Sequence, residues 1–455
     1  MKLDANTKAM PQTPGSRSPI LRVVTWRSAV ILSPLGLGLL VGSPRLDAAD
    51  NPVQQPWSLD KSNVSSQLKT FIAAKEAQAN TLATAEGKEL LPEFKSLFAA
   101  AARGDLQTMS NIWDDVHDRS LAYEYPRSTD DVPSHVQQWQ PALETYGALR
   151  EFADGKDKYA IAFGQNIINS IPRGSIYFGG TGPGRFLVTA LSKSHINADP
   201  FFTLTQNWLG DDSYMNYLRS MYGSRIAVPT TGDVQRCFQE YVEDVQSRAR
   251  RGEKLTPDEV VTVTTNGGLH VSGMEARLEI EARISRFIFD KNPDREFYVE
   301  ESHLISWMYP YLEPHGLILK LNRNPLTQLD PSVVAHDREF WDGLTKQLLA
   351  APGFLGNRWA RMTYSKHRSA IGGVYAYRRL VDEAEYAFKQ AIALCPETPE
   401  ANFRLTQLYT EQNRFDDAIL QIQSLQQRDP ANQKLREVIS QLKSLKQSNA
   451  PEQPH

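Results

Sequence analysis

Apolar residues recur at spacings of three and four through the first third of the chain. Leu68, Phe71 and Ile72, then Leu90, Leu91, Phe94, Leu97 and Phe98, then Leu106, Met109, Ile112, Trp113 and Val116 predict helices from Ser58 to about Arg119. Gly104 followed by Asp105 is a helix stop and an N-cap, so Pro92 to Asp118 is expected to fold as an antiparallel helical hairpin. The polar stretch Ser128 to Ser134 is expected as a linker. Two further helices, Trp139 to Phe152 and Tyr159 to Ile171, are divided by the turn Asp154-Gly155-Lys156.

The pattern changes at Ile171. A short β run, Ser175-Ile-Tyr-Phe, leads into Gly179-Gly180-Thr181-Gly182-Pro183-Gly184 and then an apolar helix from Arg185 to Lys193. Strand-like Phe201 to Thr205 precedes a helix from Asp212 to Tyr222, and Arg225 to Val228 precedes one from Asp233 to Ala249. Val260 to Thr264, a helix from Met274 to Phe289, and strands at Glu296 to Val299 and Gly316 to Leu321 follow. Strands alternating with helices of this length predict an α/β domain with a mostly parallel, Rossmann-like sheet covered on both faces. Asp330 to Ala350 then gives one connecting helix, ended by Pro352 and Gly353.

From Ser365 onward the chain repeats itself. Gly372, Tyr375, Ala384, Phe388, Ala391 and Pro396 are answered 34 residues later by Thr406, Tyr409, Ala418, Ile422, Leu425 and Pro430. That is the tetratricopeptide spacing: a small residue lets helix A approach helix B, an aromatic fills the seam, and proline closes the unit. Gln433 to Lys446 carries one apolar stripe, Leu435, Val438, Ile439, Leu442 and Leu445, as a capping helix should. Two units are fewer than usually stand alone, so the first must lean on the connecting helix near Trp341 or on the α/β domain. The concave positions are Lys366, Ser369, Gly373, Ala376 and Tyr377, then Glu400, Phe403, Gln407, Thr410 and Glu411. Tyr377, Phe403 and Gln407 suit an extended peptide or partner helix with an apolar anchor, and the expected partner is a protein or peptide held in this groove.

Composition narrows the function classes. Among 455 residues, 50 basic against 53 acidic side chains leave no basic field for nucleic acid, and only two cysteines, Cys237 and Cys395, exclude zinc ribbons and disulfide scaffolds. The N-terminus carries a targeting pattern. Basic, polar residues up to Arg27 run into apolar Ser28 to Gly42, which contains Pro34, Gly36 and Gly38 and is too short for a stable spanning helix. An export signal cleaved near Ala48 or Ala49 is expected, placing the protein in the periplasm or cell envelope; an uncleaved anchor is the alternative and the only expected membrane contact.

The candidate chemistry centres on the glycine loop. G-x-x-x-x-G is present from Gly179 to Gly184, but Arg185 and Phe186 replace the Lys and Ser/Thr of a phosphate-binding P-loop, and the third glycine of a dinucleotide fingerprint is missing. What remains is a backbone nest plus one guanidinium, able to hold a small anion through Gly179, Gly180, Thr181, Gly182, Gly184 and Arg185; the alternative is a tight turn. Asn207 and Asp211, after the next strand, are candidates to face the same crevice, with a helix N-cap as the other role for Asp211. Glu300 and Glu301 are paired carboxylates at a strand end near His303. Neighbours on a strand point to opposite faces, so at most one enters a given cleft. No metal site, catalytic residue or cofactor is expected from these spacings.

Ile171-Pro-Arg-Gly-Ser-Ile-Tyr-Phe-Gly-Gly-Thr through Asn207, and Glu296-Phe-Tyr-Val with Tyr309-Pro-Tyr-Leu-Glu-Pro-His-Gly-Leu-Ile-Leu-Lys-Leu, resemble the extracytoplasmic domain of bacterial protein O-mannosyltransferase-like membrane proteins. The resemblance covers about residues 159 to 325. It implies an exported α/β domain; the transmembrane part where the family's glycosyl transfer would occur has no counterpart here, which weakens a transferase reading. The chain is thus expected to comprise a signal segment (1–49), a helical region (58–127), an α/β domain (135–327), a connecting helix (328–364), repeats with a cap (365–446) and a disordered tail (447–455). The expected function is an exported interaction scaffold with a non-catalytic α/β domain. The alternative is a glycan- or nucleotide-related binding domain or enzyme with its anion site at Gly179 to Arg185.

Overall fold

The computed structural model describes residues 61–124, 137–154, 158–180, 182–192, 200–253, 260–263, 269–272, 274–300 and 305–449. The N-terminal segment, the linker expected at 128–134, Thr181, Glu301, His303 and the tail from 450 lie outside these residues.

Helices α1 (Lys61–Ala85), α2 (Pro92–Arg103), α3 (Leu106–Glu124), α4 (Trp139–Asp154) and α5 (Lys158–Ser170) precede the first strand. The α2–α3 hairpin forms where Gly104 takes a left-handed φ of 71° and Asp105 accepts a hydrogen bond from the Thr108 amide at 3.1 Å. Helices α1, α4 and α5 gather on α6 (Gly182–Ser192), which is buried from Pro183 to Ser192. A helix apolar all round needs neighbours on every side. Glycines supply the room: a Cβ on Gly147 of α4 would lie 2.2 Å from the Phe186 ring, and one on Gly164 of α5 would lie 2.5 Å from Leu191. Stacked Trp113 and Tyr146, with centroids 4.9 Å apart, fill the space between α3 and α4.

The sheet corrects the expectation of a mostly parallel, Rossmann-like domain. Its five strands run in the order β2 (Phe202–Thr205), β1 (Ile176–Gly179), β5 (Phe297–Glu300), β7 (Ile318–Leu321), β6 (Leu312–His315). Only β1 with β2 and β1 with β5 are parallel; β5 with β7 and β7 with β6 are antiparallel. The reversal comes from a two-residue hairpin, Gly316-Leu317, in which Gly316 has φ 64°. Glycine at the first central position is the signature of a tight hairpin turn. Strands β3 (Val260–Val263) and β4 (Leu269–Ser272) pair only with each other.

Arg225 to Val228 forms no strand. Instead the Asn292 side chain accepts from the Ala227 amide at 2.8 Å and donates to the Ala227 carbonyl at 3.1 Å, supplying both bonds that a neighbouring strand would have made. Between the strands run α7 (Asp212–Tyr222), α8 (Thr231–Arg250) and α9 (Met274–Lys291), and the chain is mostly helical.

After the sheet come α10 (Pro331–Ala350), α11 (Arg358–Tyr377), α12 (Val381–Leu394), α13 (Pro399–Glu411), α14 (Phe415–Arg428) and α15 (Gln433–Ser448). Helices α11 to α14 are two A–B pairs. The 34-residue period persists in the backbone, because Arg379 (φ 59°) and Asn413 (φ 60°), one period apart, are the non-glycine residues with positive φ among the described ones. Both turn the chain from helix A to helix B. A side chain in this region costs about 1 kcal/mol that glycine avoids, so Arg379→Gly is expected to raise stability by roughly 0.5–1 kcal/mol. Urea denaturation of the two proteins checks this.

Candidate functional site

Strand β1 has a parallel neighbour on each side, reached by crossovers that leave in opposite directions, and the carboxyl ends of β1, β2 and β5 meet beside the start of α6. Open sheets hold ligands at such a place. Here a carboxylate of the chain itself occupies it. Glu300 ends β5 opposite Gly179, and the Gly180 amide donates to the Glu300 carbonyl at 2.8 Å and to its Oε2 at 3.3 Å. A Cβ on Gly184 would lie 1.9 Å from that same Oε2, so the glycine makes room for the carboxylate at the helix N-terminus, where peptide dipoles favour negative charge.

The other carboxylate oxygen reaches across to the repeats. His367 Nε2 on α11 lies 2.7 Å from Glu300 Oε1, and its Nδ1 lies 3.0 Å from the Thr363 carbonyl. A carbonyl only accepts, so Nδ1 bears a proton; one further proton is shared between Nε2 and Oε1. Glu300 is 1 % exposed and His367 5 %. A dyad closed off to this degree, with both ring nitrogens engaged, joins α11 to the sheet. It presents no free base.

The remaining loop candidates divide. Gly179 and Gly180 are buried at the strand end, and Gly182 and Gly184 fall inside the first turn of α6, which the sequence reading places later, at Arg185. Arg185 turns away from the nest into the helical layer. Its Nη2 donates to Gln140 at 2.9 Å, it stands 3.9 Å from Glu144, and its guanidinium packs over the rings of Phe186, Trp208 and Tyr214. Glu144 also pairs with Lys75 at 2.6 Å and accepts from Tyr217 at 2.8 Å, so the group ties α1, α4, α6 and α7 together. Asn207 is exposed in a short 3-10 turn, Gln206–Trp208, and its carbonyl accepts from Arg277. Asp211 caps α7, accepting from the Tyr214 amide at 2.7 Å and from Ser213 at 2.6 Å. Asp211 thus takes the N-cap role that the sequence also allows.

In the repeats, Gly372 is small because a Cβ there would lie 2.7 Å from the Phe388 ring of α12. Helix α11 begins at Arg358, seven positions before the repeat frame, and serves both as helix A and as a wall of the body. Arg368 pairs with Asp337 of α10 at 2.7 Å, and Tyr375 donates to the same oxygen at 2.6 Å; burial and that carboxylate push the phenol pKa up and keep it a donor. Asp342 accepts from Tyr386 and Gln390, each at 2.6 Å, and the Trp341 indole donates to the Gly316 carbonyl at 3.1 Å. The first repeat thus leans on both supports that the sequence suggests.

A second link joins α12 to α13 and α14. Glu385 accepts from Arg414 at 2.5 Å, from Lys389 at 2.7 Å and from Tyr409 at 3.0 Å. Burial pushes its pKa up, but these donors outweigh burial and hold it at about 2. A carboxylate with a depressed folded pKa adds stability above its unfolded value, near 4.5, and loses it as the pH falls toward 2. Glu385→Gln should therefore flatten the loss of stability between pH 5 and pH 2, as read from acid titration of thermal melting.

Of the groove residues, Tyr377 and Gln407 are exposed and Phe403 is half-buried. Ser369 is fully buried, and the Arg404 guanidinium lies over Gly373. Part of the face where α11 meets α13 is already covered by the chain. Tyr309, from the 3-10 segment Ser306–Tyr311, sets its ring 5.0 Å from that of Tyr377. Arg378 donates to the carbonyls of Tyr309, Pro310 and Leu312 at 3.3, 3.0 and 2.9 Å. His367, Asp337, Arg368 and Arg378 were not singled out from sequence, and Tyr309 only as part of the family resemblance. The signal for the first of them was present, since His367 stands three residues after Tyr364 and four before Ile371 in an otherwise apolar row.

Among the described residues, no group of three or more His, Cys, Asp or Glu could hold a metal ion, and no helix is long and apolar enough to cross a membrane. A tetratricopeptide repeat family profile matches residues 380–442. No curated protein matches the chain. Among solved structures, an assembly chaperone of RpL4 (Acl4, residues 1–338) aligns over 78 % of this chain and 95 % of its own at 12 % identity, with a TM-score of 0.21. Likeness at that level supports no statement about this fold or its partners. The chain contains a tetratricopeptide repeat module, built onto a helical body with a mixed sheet.

Proposed function

We propose that this protein is an interaction scaffold: its tetratricopeptide pair holds a protein or peptide on the A-helix face, and the helical and sheet body fixes the orientation of that face. The observation that supports it most is the 34-residue frame at 365–446, seen in the side-chain slots and in the paired turns at Arg379 and Asn413, and matched over 380–442. Gln407 and Glu411 remain exposed on the face where such modules take partners. A photo-crosslinking residue placed at Gln407 or Glu411 is expected to trap a recurring partner set in native envelope extracts. The same probe at Gly343 of α10, away from that face, should trap none of it. Identical sets at both positions, or none at Gln407 and Glu411, would overturn this reading.

The proposal includes export and an N-terminus near Ala49 or Asp50, on the strength of the basic and apolar pattern up to Gly42. N-terminal sequencing decides it, and an intact Met1 on the mature protein would contradict it.

A second reading, a small anionic ligand, rests on one observation. Arg185 Nε and Gln140 Nε2 are buried donors with no acceptor, although the guanidinium is only 3 % exposed. Buried donors are normally satisfied by protein, water or ligand. Melting temperature against phosphate, nucleotides and sugar phosphates tests it by mass action; a flat series retires it.

A further inference from the structure

We propose that the face shared by α11 and α13 recognises an aromatic–proline segment, and that the chain's own Tyr309-Pro310-Tyr311 is its resident occupant. The segment is held to the body on one side: Trp307 Nε1 donates to Ser285 at 3.2 Å, its ring lies 5.3 Å from Phe289, and Met308 is fully buried. Tyr309 turns the opposite way, onto the repeats.

There it makes the contacts a bound peptide would make. Its ring packs on Tyr377, and its hydroxyl accepts from Arg404, which is braced by Glu400 at 3.1 Å and reaches over Gly373, where a Cβ would lie 2.2 Å from the guanidinium. Arg378 reads the backbone through the carbonyls of Tyr309, Pro310 and Leu312 and also donates to the Leu326 carbonyl at 3.0 Å. Proline suits the middle of such a segment, which is a 3-10 turn over Ser306–Tyr311: it has no N–H to satisfy, its φ is preset, and the ordering cost of a bound peptide falls accordingly. The occupant also leaves surface uncovered, since Tyr377 is still 51 % exposed and Gln407 lies beyond. An external partner that takes this face must then displace Tyr309 with an aromatic of its own and offer carbonyls to Arg378. This deepens the scaffold reading and rests on it for biological meaning, but not for the binding itself.

The test uses the full chain and a labelled peptide of sequence Ser-Trp-Met-Tyr-Pro-Tyr-Leu-Glu, which is residues 306–313, followed by fluorescence anisotropy. Tyr309→Ala is expected to bind the peptide at least tenfold more tightly than the natural protein does. That gain should vanish when the peptide's first tyrosine is alanine or when Arg404→Ala is added. Tyr309→Phe keeps the packing and loses only the hydroxyl contact, so it should show a smaller gain, about threefold; it decides the matter if Tyr309→Ala does not fold. Equal peptide binding by the natural protein and the folded variants, or none by any, would overturn the proposal. Crosslinked partners at Gln407 that the peptide cannot compete away would leave the scaffold reading standing without it. Peptide binding without any crosslinked partner would do the reverse.

Discussion

Asp337→Ala is expected to destabilise the protein by about 3–5 kcal/mol, because it strands a buried guanidinium. Arg368 is 1 % exposed and has one carboxylate against it, 2.7 Å away; the Tyr375 hydroxyl would lose its acceptor in the same step. Asp337→Asn keeps an acceptor and loses the charge, so the difference between the two variants separates ionic from hydrogen-bonding contributions. Denaturant midpoints at constant slope give both values. A loss below about 1 kcal/mol for Asp337→Ala, the range of a surface pair, would mean that α10 and α11 are held together by apolar packing alone.

Gly184→Ala should be the other severe substitution, although it adds one methyl group. The new Cβ would fall 1.9 Å from Glu300 Oε2 and 2.4 Å from Cδ, and the carboxylate cannot step aside while Gly180 and His367 hold it. Overpacking of this kind costs about 1–3 kcal/mol, and here the His367 link is lost with it. Glu300→Ala removes the obstacle. The double variant should therefore be less destabilised than the two single losses added together, with a coupling of at least about 1 kcal/mol, as expected for residues in contact. Additive losses would show that the carboxylate does not sit on the glycine. That outcome would return the nest to an external anion.

The legible part of the fold was local. Helix periodicity, the Gly104-Asp105 corner and the 34-residue frame each depend on residues a few positions apart, and Gly372, Tyr375 and Ala384 occupy the slots their sizes suggest. Pairing direction in the sheet was not legible. Parallel and antiparallel strands draw on the same short apolar runs, and the deciding residues, Gly316-Leu317 and Asn292, act as a turn and as a substitute strand. The glycine loop was legible as a tight turn at a strand end, and the paired glutamates as a pair of which at most one enters a given cleft. That Glu300 fills the nest was not, because its third partner, His367, stands 67 positions away on a helix assigned to another module. Arg185 was legible as a cation near the nest; its direction, toward Gln140 and Glu144, depends on packing between helices.

A scaffold must hold its binding face still, and α11 is joined to α10, to the sheet and, through the Phe163 ring against Trp359, Tyr364 and His367, to α5, which makes the repeats part of the body. Native-state hydrogen exchange under increasing denaturant tests this most directly. Slow amides of β1, β5, α11 and α12 are expected to merge into one opening with a common free energy. Separate merging of α11 to α15 at a lower free energy, with β1 and β5 still protected, would contradict it and make the repeats an independent appendage.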